Sequence, residues 1–294
     1  MAPRVLLVWW MVCLLWSGTF LFIRLGLREL PPFTFAWVRL AIAAAVLVPV
    51  VLASGRWRAL GRHDLILVGA SGLLLLGANY ALVFWGAQFV PSGLVAILLS
   101  ATPVMAMAFG WMLGSEQVTG RKALGFAAGI LGVTIIFGAE VKAADRAALA
   151  GTAAVFGASA CVAVAYVWLK TYGRHLSGTV VTAFQSVAGL LPLALAGLIL
   201  EGVPIPQRWS ASVWVSLLYL GLAASVVAFW LNYWLLRRMD ASAMLMMGVA
   251  EVPIAVALGA IVFGERLPAG TLLGGICVLA GVFVVLTSTP ASRP

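Results

Sequence analysis

The chain has 294 residues, of which 64% are hydrophobic and 9% are charged, whereas soluble domains are about half apolar and a quarter charged. A water-exposed surface needs many more polar side chains, so this composition excludes an ordinary soluble domain and predicts a protein surrounded by lipid. The net charge of +9 comes from lysines and arginines scattered between apolar runs. They form no continuous basic face, which argues against a nucleic-acid partner.

The apolar runs of the chain predict an all-α membrane protein with ten transmembrane helices, because about 20 apolar residues cross the hydrocarbon core of a bilayer. Loops rich in glycine, proline and arginine separate the runs. Most loops are short, so consecutive helices are expected to be antiparallel neighbours. The predicted spans are 5–23, 33–53, 65–88, 93–113, 122–139, 149–169, 178–200, 212–235, 242–263 and 270–287.

The distribution of lysine and arginine over alternate loops predicts the orientation, because cytoplasmic loops carry an excess of both residues. With the N-terminus inside, the inner loops carry eleven of them and the outer loops carry six. An even number of spans returns the C-terminus to the same side. We therefore expect a multi-pass protein of a bacterial-type plasma (inner) membrane, with both termini in the cytoplasm.

An internal repeat with a spacing of about 150 residues organises the chain. The segment around Pro103, which ends at Gly114-Ser115-Glu116, matches the segment around Pro253, which ends at Gly264-Glu265-Arg266. This repeat predicts two five-helix halves, 1–143 and 144–294. Because five is odd, the second half enters the membrane from the opposite side. Such inverted repeats are typical of transporters that bind substrate between the halves, near the midplane.

The opening of the chain resembles that of the EamA-type transporters of the drug/metabolite transporter superfamily, at Trp16-Ser17-Gly18-Thr19-Phe20, Leu30-Pro31-Pro32 and Arg39. Gly264-Glu265-Arg266-Leu267 resembles the closing motif of the same family. The many aromatic residues further resemble the YddG-like branch, whose members export aromatic amino acids and flat organic cations. The resemblance covers nearly the whole chain and implies a secondary transporter, without a cofactor or enzymatic activity, that exports aromatic amino acids or related small organic metabolites.

Two charged residues stand well within predicted spans, where a charge at the bilayer centre costs roughly 2.5 to 3.5 kcal/mol on insertion scales. Arg39 either meets a substrate carboxylate, or snorkels or caps a neighbouring helix end. Glu251 is a candidate for a proton-linked or cation-binding group. A structural ion pair with Arg39 is the competing explanation for Glu251, since the sequence does not reveal the distance between them.

Pro103 and Pro253 occupy equivalent positions in the two repeats. Because proline lacks an N–H group, the carbonyls of Leu99 and Val249 lose their usual helical donors, and we expect a kink at each proline. Simple bending, a hinge and a carbonyl that faces substrate are all compatible with this pattern.

Polar and aromatic side chains within the spans complete the candidate binding site. Amides and phenols in apolar helices usually form hydrogen bonds between helices, so helix contacts are the default interpretation. Their presence in both halves also suits a cavity with a few polar groups among rings that stack on flat substrates. With Arg39 and Glu251, the candidate substrate-binding residues are Trp16, Ser17, Asn79, Tyr80, Thr102, Tyr166, Trp168, Gln185, Trp230, Asn232 and Tyr233.

Other functions find less support in the sequence. His63 and His175 fall in predicted loops without metal-ligand spacing, and no serine in a span has an evident basic partner, which argues against a metal site and an enzyme. A proton-coupled exporter of organic cations or drugs, with Glu251 as the counter-charge, is the second transporter hypothesis. A passive channel and an intramembrane enzyme are the hypotheses from other classes. Glycine-rich helix faces are compatible with a homodimer or a monomer.

Overall fold

The computed structural model describes residues 3–113, 119–142, 145–173, 175–236, 238 and 247–287. Helices and short turns make up this part of the chain, without a strand. Seven helical segments are long and apolar enough to cross a membrane, and two apolar helices, Ala250–Phe263 and Ala269–Val284, are shorter. The prediction of an all-α membrane protein is confirmed, while the count of ten crossings stays a prediction.

Each predicted span overlaps one or two helices, although residues 242–246 of the ninth span lie outside the described residues. Short 3₁₀ turns, Arg56–Ala59 and Pro206–Arg208, occur in two of the loops. The helices are α1 (Pro3–Gly26), α2 (Pro32–Ser54), α3 (Arg62–Gly72), α4 (Asn79–Gly86), α5 (Ser92–Leu99), α6 (Thr102–Met112), α7 (Gly120–Lys142), α8 (Arg146–Tyr172), α9 (Gly178–Leu200), α10 (Ala211–Leu218), α11 (Ala228–Leu236), α12 (Met247–Phe263) and α13 (Ala269–Thr287).

Three predicted spans are interrupted. The π-helical segment Leu73–Ala78 joins α3 to α4, and a second π-helical segment, Tyr219–Val227, joins α10 to α11. Their spacing is close to that of the sequence repeat. π-Helical turns are rare and frequently occur at functional sites. The fourth predicted span is broken at Ser100 and Ala101, between α5 and α6.

The two equivalent prolines have different local structures. Pro103 lies in the first turn of α6, immediately after the break, whereas Pro253 lies within the continuous helix α12. The carbonyl of Leu99, which Pro103 deprives of its usual donor, accepts a hydrogen bond from the hydroxyl of Thr102 at 2.7 Å. Thr102 therefore stabilises the break, in place of the simple kink that the sequence predicted at Pro103.

Two further serine hydroxyls satisfy carbonyls at the break. Ser100 donates to the carbonyl of Ile97 at 2.6 Å, and Ser159 of α8 donates to the carbonyl of Leu98 at 2.9 Å. Buried carbonyl groups need such partners, because an unsatisfied backbone group in an apolar interior is costly. The interrupted helix is thus anchored to α8 inside the bundle.

Helices from the first half of the chain pack against helices from the second half. Helix α2 packs against α9, α4 against α8, α1 and α5 against α12, and α7 against α13. Large side chains with no exposed surface, such as Phe35, Phe84 and Leu217, fill the main core. Since lipid is as apolar as these side chains, close packing rather than escape from water holds the helices together.

Helices α7 and α13 approach each other through glycines. A Cβ atom at Gly132 would lie 2.5 Å from the carbonyl oxygen of Gly274, and one at Gly281 would lie 2.5 Å from that of Gly125. Small residues permit such close backbone contact between membrane helices. This glycine seam joins two helices of the same chain.

Replacing Gly132 by alanine should destabilise the protein by about 1–3 kcal/mol, because the added methyl group overlaps the backbone of α13. The matched control is Gly138→Ala on the same helix, where the position of an added Cβ has no atom within 4 Å. We expect no loss of stability in the control, since alanine favours a helix more than glycine does. Thermal unfolding of the purified variants in detergent measures both effects, and equal losses would contradict the seam.

Candidate functional site

Arg39 is a buried cation without a counter-ion in the described structure. It is 5% exposed, and its guanidinium lies 4.6 Å from the ring centre of Tyr80 and 6.0 Å from that of Phe84. Its Nε atom has no hydrogen-bond partner, and the ion pairs within the described residues do not include it. Cation–π attraction of about 2 kcal/mol offsets only part of the cost of burying a charge. Arg39 is therefore suited to bind an anion.

The first π-helical segment positions the residues opposite Arg39. Leu73–Ala78 ends immediately before Asn79 and Tyr80, so its wider turn sets the rotation of α4. Asn79 is 8% exposed, and its amide nitrogen donates to the carbonyl of Leu75 at 2.9 Å. Its Oδ1 atom has no partner. Arg39 and Asn79 thus present an unsatisfied donor and an unsatisfied acceptor on the contacting segments α2 and α4.

Glu251 is also unpaired. It lies in the second turn of α12, and no ion pair joins its carboxylate to a lysine, arginine or histidine of the described chain. The hydroxyl of Ser17 contacts the backbone carbonyls of Cys13 at 2.6 Å and Glu251 at 3.2 Å, which joins α1 to α12. The ion pair between Arg39 and Glu251 does not form in this structure, so both charges are left without a partner there.

Trp16 and Tyr219 connect α1 to the second π-helical segment. The indole N–H of Trp16 donates to the carbonyl of Ala224 at 3.2 Å. The hydroxyl of Tyr219 donates to the carbonyl of Leu15 at 2.9 Å. Two polar aromatic residues therefore hold α1 against Tyr219–Val227, and the indole N–H of Trp16 is engaged with the backbone.

A cavity of about 690 Å³ lies between α2, α9 and α11, a size typical of small-molecule sites. Trp230 is 68% exposed. The guanidinium of Arg238 lies 4.0 Å from the ring centre of Trp234 and donates to its carbonyl at 3.0 Å. The cavity therefore combines aromatic walls with a cation. Its lining residues are Val46, Leu47, Val50, Thr179, Thr182, Val226, Phe229, Trp230, Trp234 and Arg238.

The cavity lies along the same face of α2 as Arg39. Val46 and Val50 follow Arg39 by seven and eleven residues, a spacing that returns to one face of an α-helix. At 1.5 Å per residue, Val46 lies about 10 Å along the helix axis from Arg39. The cavity therefore lies at the end of the bundle where α9 begins, about 10 Å along α2 from Arg39, which does not line it.

The opposite end of the bundle is closed around Glu265, whose side chain is 6% exposed. Its carboxylate pairs with Arg24 at 2.9 Å and accepts hydrogen bonds from the backbone N–H and hydroxyl of Ser92, at 3.1 and 2.9 Å. Arg24 also donates to the carbonyl of Val90 at 2.9 Å. Carboxylates are stabilised at helix N-termini by the helix dipole. Glu265 thus binds the end of α1 and the beginning of α5 to the end of α12.

Two other carboxylates make similar contacts at this end. Glu201, after α9, accepts hydrogen bonds from the backbone N–H groups of Phe33 and Thr34 in the first turn of α2, at 2.9 and 2.6 Å. Glu29 accepts a hydrogen bond at 2.6 Å from the hydroxyl of Ser210, which precedes α10. Together with Glu265, these carboxylates close the end of the bundle opposite the cavity.

The model of the EamA-like transporter family matches residues 4–138 and again residues 149–287. The chain belongs to this family. It is 26% identical to the uncharacterized transporter YoaV of Bacillus subtilis over 277 residues, which cover 93% of each chain. It is 25% identical to a probable amino-acid metabolite efflux pump of Salmonella typhimurium over 282 residues, 93% of this chain and 92% of the relative.

Two further comparisons agree with this assignment. The uncharacterized inner membrane transporter YedA of Escherichia coli is 26% identical over 281 residues, 93% of this chain and 88% of the relative. A crystal structure with 20% sequence identity superimposes with a TM-score of 0.65 over 97% of this chain and 96% of the other, which shows the same fold. The protein is therefore a multi-pass membrane transporter of small molecules rather than an enzyme.

Several candidate substrate-binding residues of this EamA-like transporter lie away from both Arg39 and the cavity. Gln185 donates to the hydroxyl of Ser71 at 2.9 Å, a contact between α9 and α3. Tyr166 is 55% exposed, and Trp168 and Asn232 are half-buried, but none of the three lines the cavity. The side chain of Tyr233 lies outside the described residues. A second, apolar cavity of about 400 Å³ between α6, α7 and α8 contains none of the candidates.

Sequence reasoning named only Trp230 among the cavity residues. Trp234 and Arg238 follow it at intervals of four residues, a spacing that in a regular helix would place all three on one face. That spacing is the signal that could have found the aromatic wall. Thr179 and Thr182 gave no comparable signal, because two threonines near the beginning of a span are ordinary.

Proposed function

We propose that this transporter exports aromatic amino acids or related small organic metabolites by alternating access. The observation that carries the proposal is Arg39, a buried guanidinium over Tyr80 that has no counter-ion among the described residues. A substrate carboxylate supplies the missing negative charge, and the substrate ring stacks on aromatic side chains. Relatives from Salmonella typhimurium and Escherichia coli that are named probable amino-acid metabolite efflux pumps support this class of cargo.

Alternating access is carried by two inverted five-helix halves, 1–143 and 144–294, in an inner membrane with both termini in the cytoplasm. The family model matches each half once, and the π-helical segments Leu73–Ala78 and Tyr219–Val227 occur at corresponding places. On this proposal the cavity opens toward the cytoplasm, and the Glu265 contacts close the outer end. Export requires the opposite state, in which the Glu265 contacts separate.

Transport by purified protein in liposomes tests this proposal. Labelled phenylalanine and tryptophan should enter with saturable kinetics, and unlabelled substrate on the opposite side should accelerate their flux. Protein-free liposomes and labelled alanine are the controls. Absence of aromatic amino acid transport would reject the cargo, and flux without saturation or trans-stimulation would indicate a channel.

Export of flat organic cations is the second candidate function, and the unpaired carboxylate of Glu251 favours it. Glu251 would balance the charge of the cation, while aromatic rings would attract it by about 0.5–2 kcal/mol per contact. On this hypothesis Glu251→Gln abolishes transport of methyl viologen driven by a proton gradient. Full activity of the variant would argue against a role for this carboxylate.

The two candidates differ in which charge is essential. If aromatic amino acids are the cargo, Arg39→Leu abolishes their transport. If organic cations are the cargo, Glu251→Gln abolishes methyl viologen transport, whereas Arg39→Leu retains it. Testing both variants with both substrates in the same liposomes distinguishes the two functions.

A further inference from the structure

We infer that Asn79 recognises the α-ammonium group of the substrate, so that Arg39 and Asn79 together select zwitterionic amino acids over carboxylates that lack an ammonium. This inference rests on the proposed function and narrows its substrate class. Arg39 takes the carboxylate in this arrangement, and the carbonyl oxygen of the Asn79 side chain takes the ammonium.

The first argument is the unsatisfied hydrogen-bonding capacity of both side chains. Five buried side-chain polar atoms in the described part of the chain lack a partner. Native structures contain few such atoms, and each needs an explanation. Among the five, the donor Arg39 Nε and the acceptor Asn79 Oδ1 belong to the contacting segments α2 and α4. A ligand that carries both an acceptor and a donor, such as the carboxylate and ammonium groups of an α-amino acid, would satisfy both.

The second argument is the placement of Asn79 beside the ring that Arg39 contacts. Tyr80 and Phe84, one turn apart on α4, both lie near the guanidinium of Arg39. Asn79 precedes Tyr80, and successive residues of an α-helix are rotated by about 100°. Asn79 therefore occupies the adjoining side of α4, and its 8% exposure places it inside the bundle.

The third argument is charge. An ammonium carries three donors and needs acceptors when it is buried. An aspartate or glutamate beside Arg39 would supply acceptors, but it would also pair with the guanidinium and occupy the carboxylate site. A neutral amide oxygen accepts from the ammonium and leaves the positive charge of Arg39 available. The amide of Asn79 is also held in position by its 2.9 Å hydrogen bond to Leu75.

Calorimetric binding of L-phenylalanine and 3-phenylpropionate to the purified full-length protein tests the inference, because the two ligands differ in the ammonium group. The wild type should bind phenylalanine at least about tenfold more tightly, the effect of one hydrogen bond to a charged group. Asn79→Leu should lower the affinity for phenylalanine by a similar factor and leave 3-phenylpropionate unchanged. Asn79→Ala, a smaller replacement, should give the same change in the ratio of affinities if the leucine variant does not fold.

The control is Gln185→Leu, which removes a buried amide whose partner is Ser71. A purely structural amide should shift both affinities together, so the ratio should stay at the wild-type value. Equal binding of both ligands by the wild type, or an unchanged ratio in the Asn79 variants, would overturn the inference while the proposed function stands. Failure of the wild type to bind phenylalanine would overturn the proposed function and the inference with it.

Discussion

Replacing Arg39 by leucine is expected to abolish binding and transport of aromatic amino acids without destabilising the folded protein. The guanidinium makes no ion pair with a described residue, so its removal breaks no contact between charges and ends the cost of burying one. In the bound state, by contrast, leucine would leave the substrate carboxylate buried and unpaired. Such a loss costs about 3–5 kcal/mol, which is more than a hundredfold in affinity.

Initial transport rates in liposomes and thermal unfolding in detergent measure the two effects of Arg39→Leu separately. The matched control is Arg28→Leu, since the guanidinium of Arg28 also lies over a ring, 4.7 Å from the centre of Phe263, but at an exposed position near the end of α1. Arg28→Leu should retain transport. A large loss of stability in Arg39→Leu would show that the arginine has a structural partner, and normal transport would show that it does not bind substrate.

Replacing Glu265 by alanine is expected to destabilise the protein by about 1–3 kcal/mol and to weaken the closed end of the bundle. The change leaves Arg24 without its carboxylate and the N–H groups of Ser92 and Gly93 without their acceptor. The loss of acceptors for these N–H groups dominates the cost, because the side chain of Arg24 is 34% exposed and its charge stays partly hydrated. The arrangement that is closed at this end should therefore lose stability relative to one in which the end is open.

Thermal unfolding and hydrogen–deuterium exchange of the peptide that contains the beginning of α5 measure this effect. Exchange at Ser92 and Gly93 should become faster in Glu265→Ala. The control is Glu29→Ala, since Glu29 makes an exposed contact with Ser210 and should contribute less than about 1 kcal/mol. Equal changes in the two variants would contradict a special role for Glu265 in closing this end.

The two π-helical segments explain why the sequence did not predict the orientation of part of the candidate site. A regular helix of 3.6 residues per turn predicts the faces of Asn79 and Tyr80 from the residues before them, but the wider turn at Leu73–Ala78 changes that rotation. The same applies to the residues after Tyr219–Val227. Hydropathy does not reveal such turns, because they consist of the same apolar residues as the helix around them.

The chemistry of the proline break also depended on residues far apart in the chain. Pro103 predicted that the carbonyl of Leu99 would lose its usual donor, and the structure supplies that donor from the adjacent Thr102. Ser159, 61 residues away from Leu98, contributes another hydroxyl at the break. The sequence indicated the unsatisfied carbonyl, but the three-dimensional packing determined which hydroxyls reach the break.

The amino-acid sequence by itself determined that lipid surrounds this protein, that the protein is helical, and which family it resembles. These properties follow from the length and spacing of the apolar runs and from local motifs. It also identified Arg39 and Glu251 as charges that need an explanation. Only the tertiary structure decided that the two do not pair, that Arg39 lies over Tyr80, and that Glu265 closes one end of the bundle. Those contacts join residues that are distant in sequence. The distances between these residues depend on the rotation of each helix, which hydropathy does not reveal.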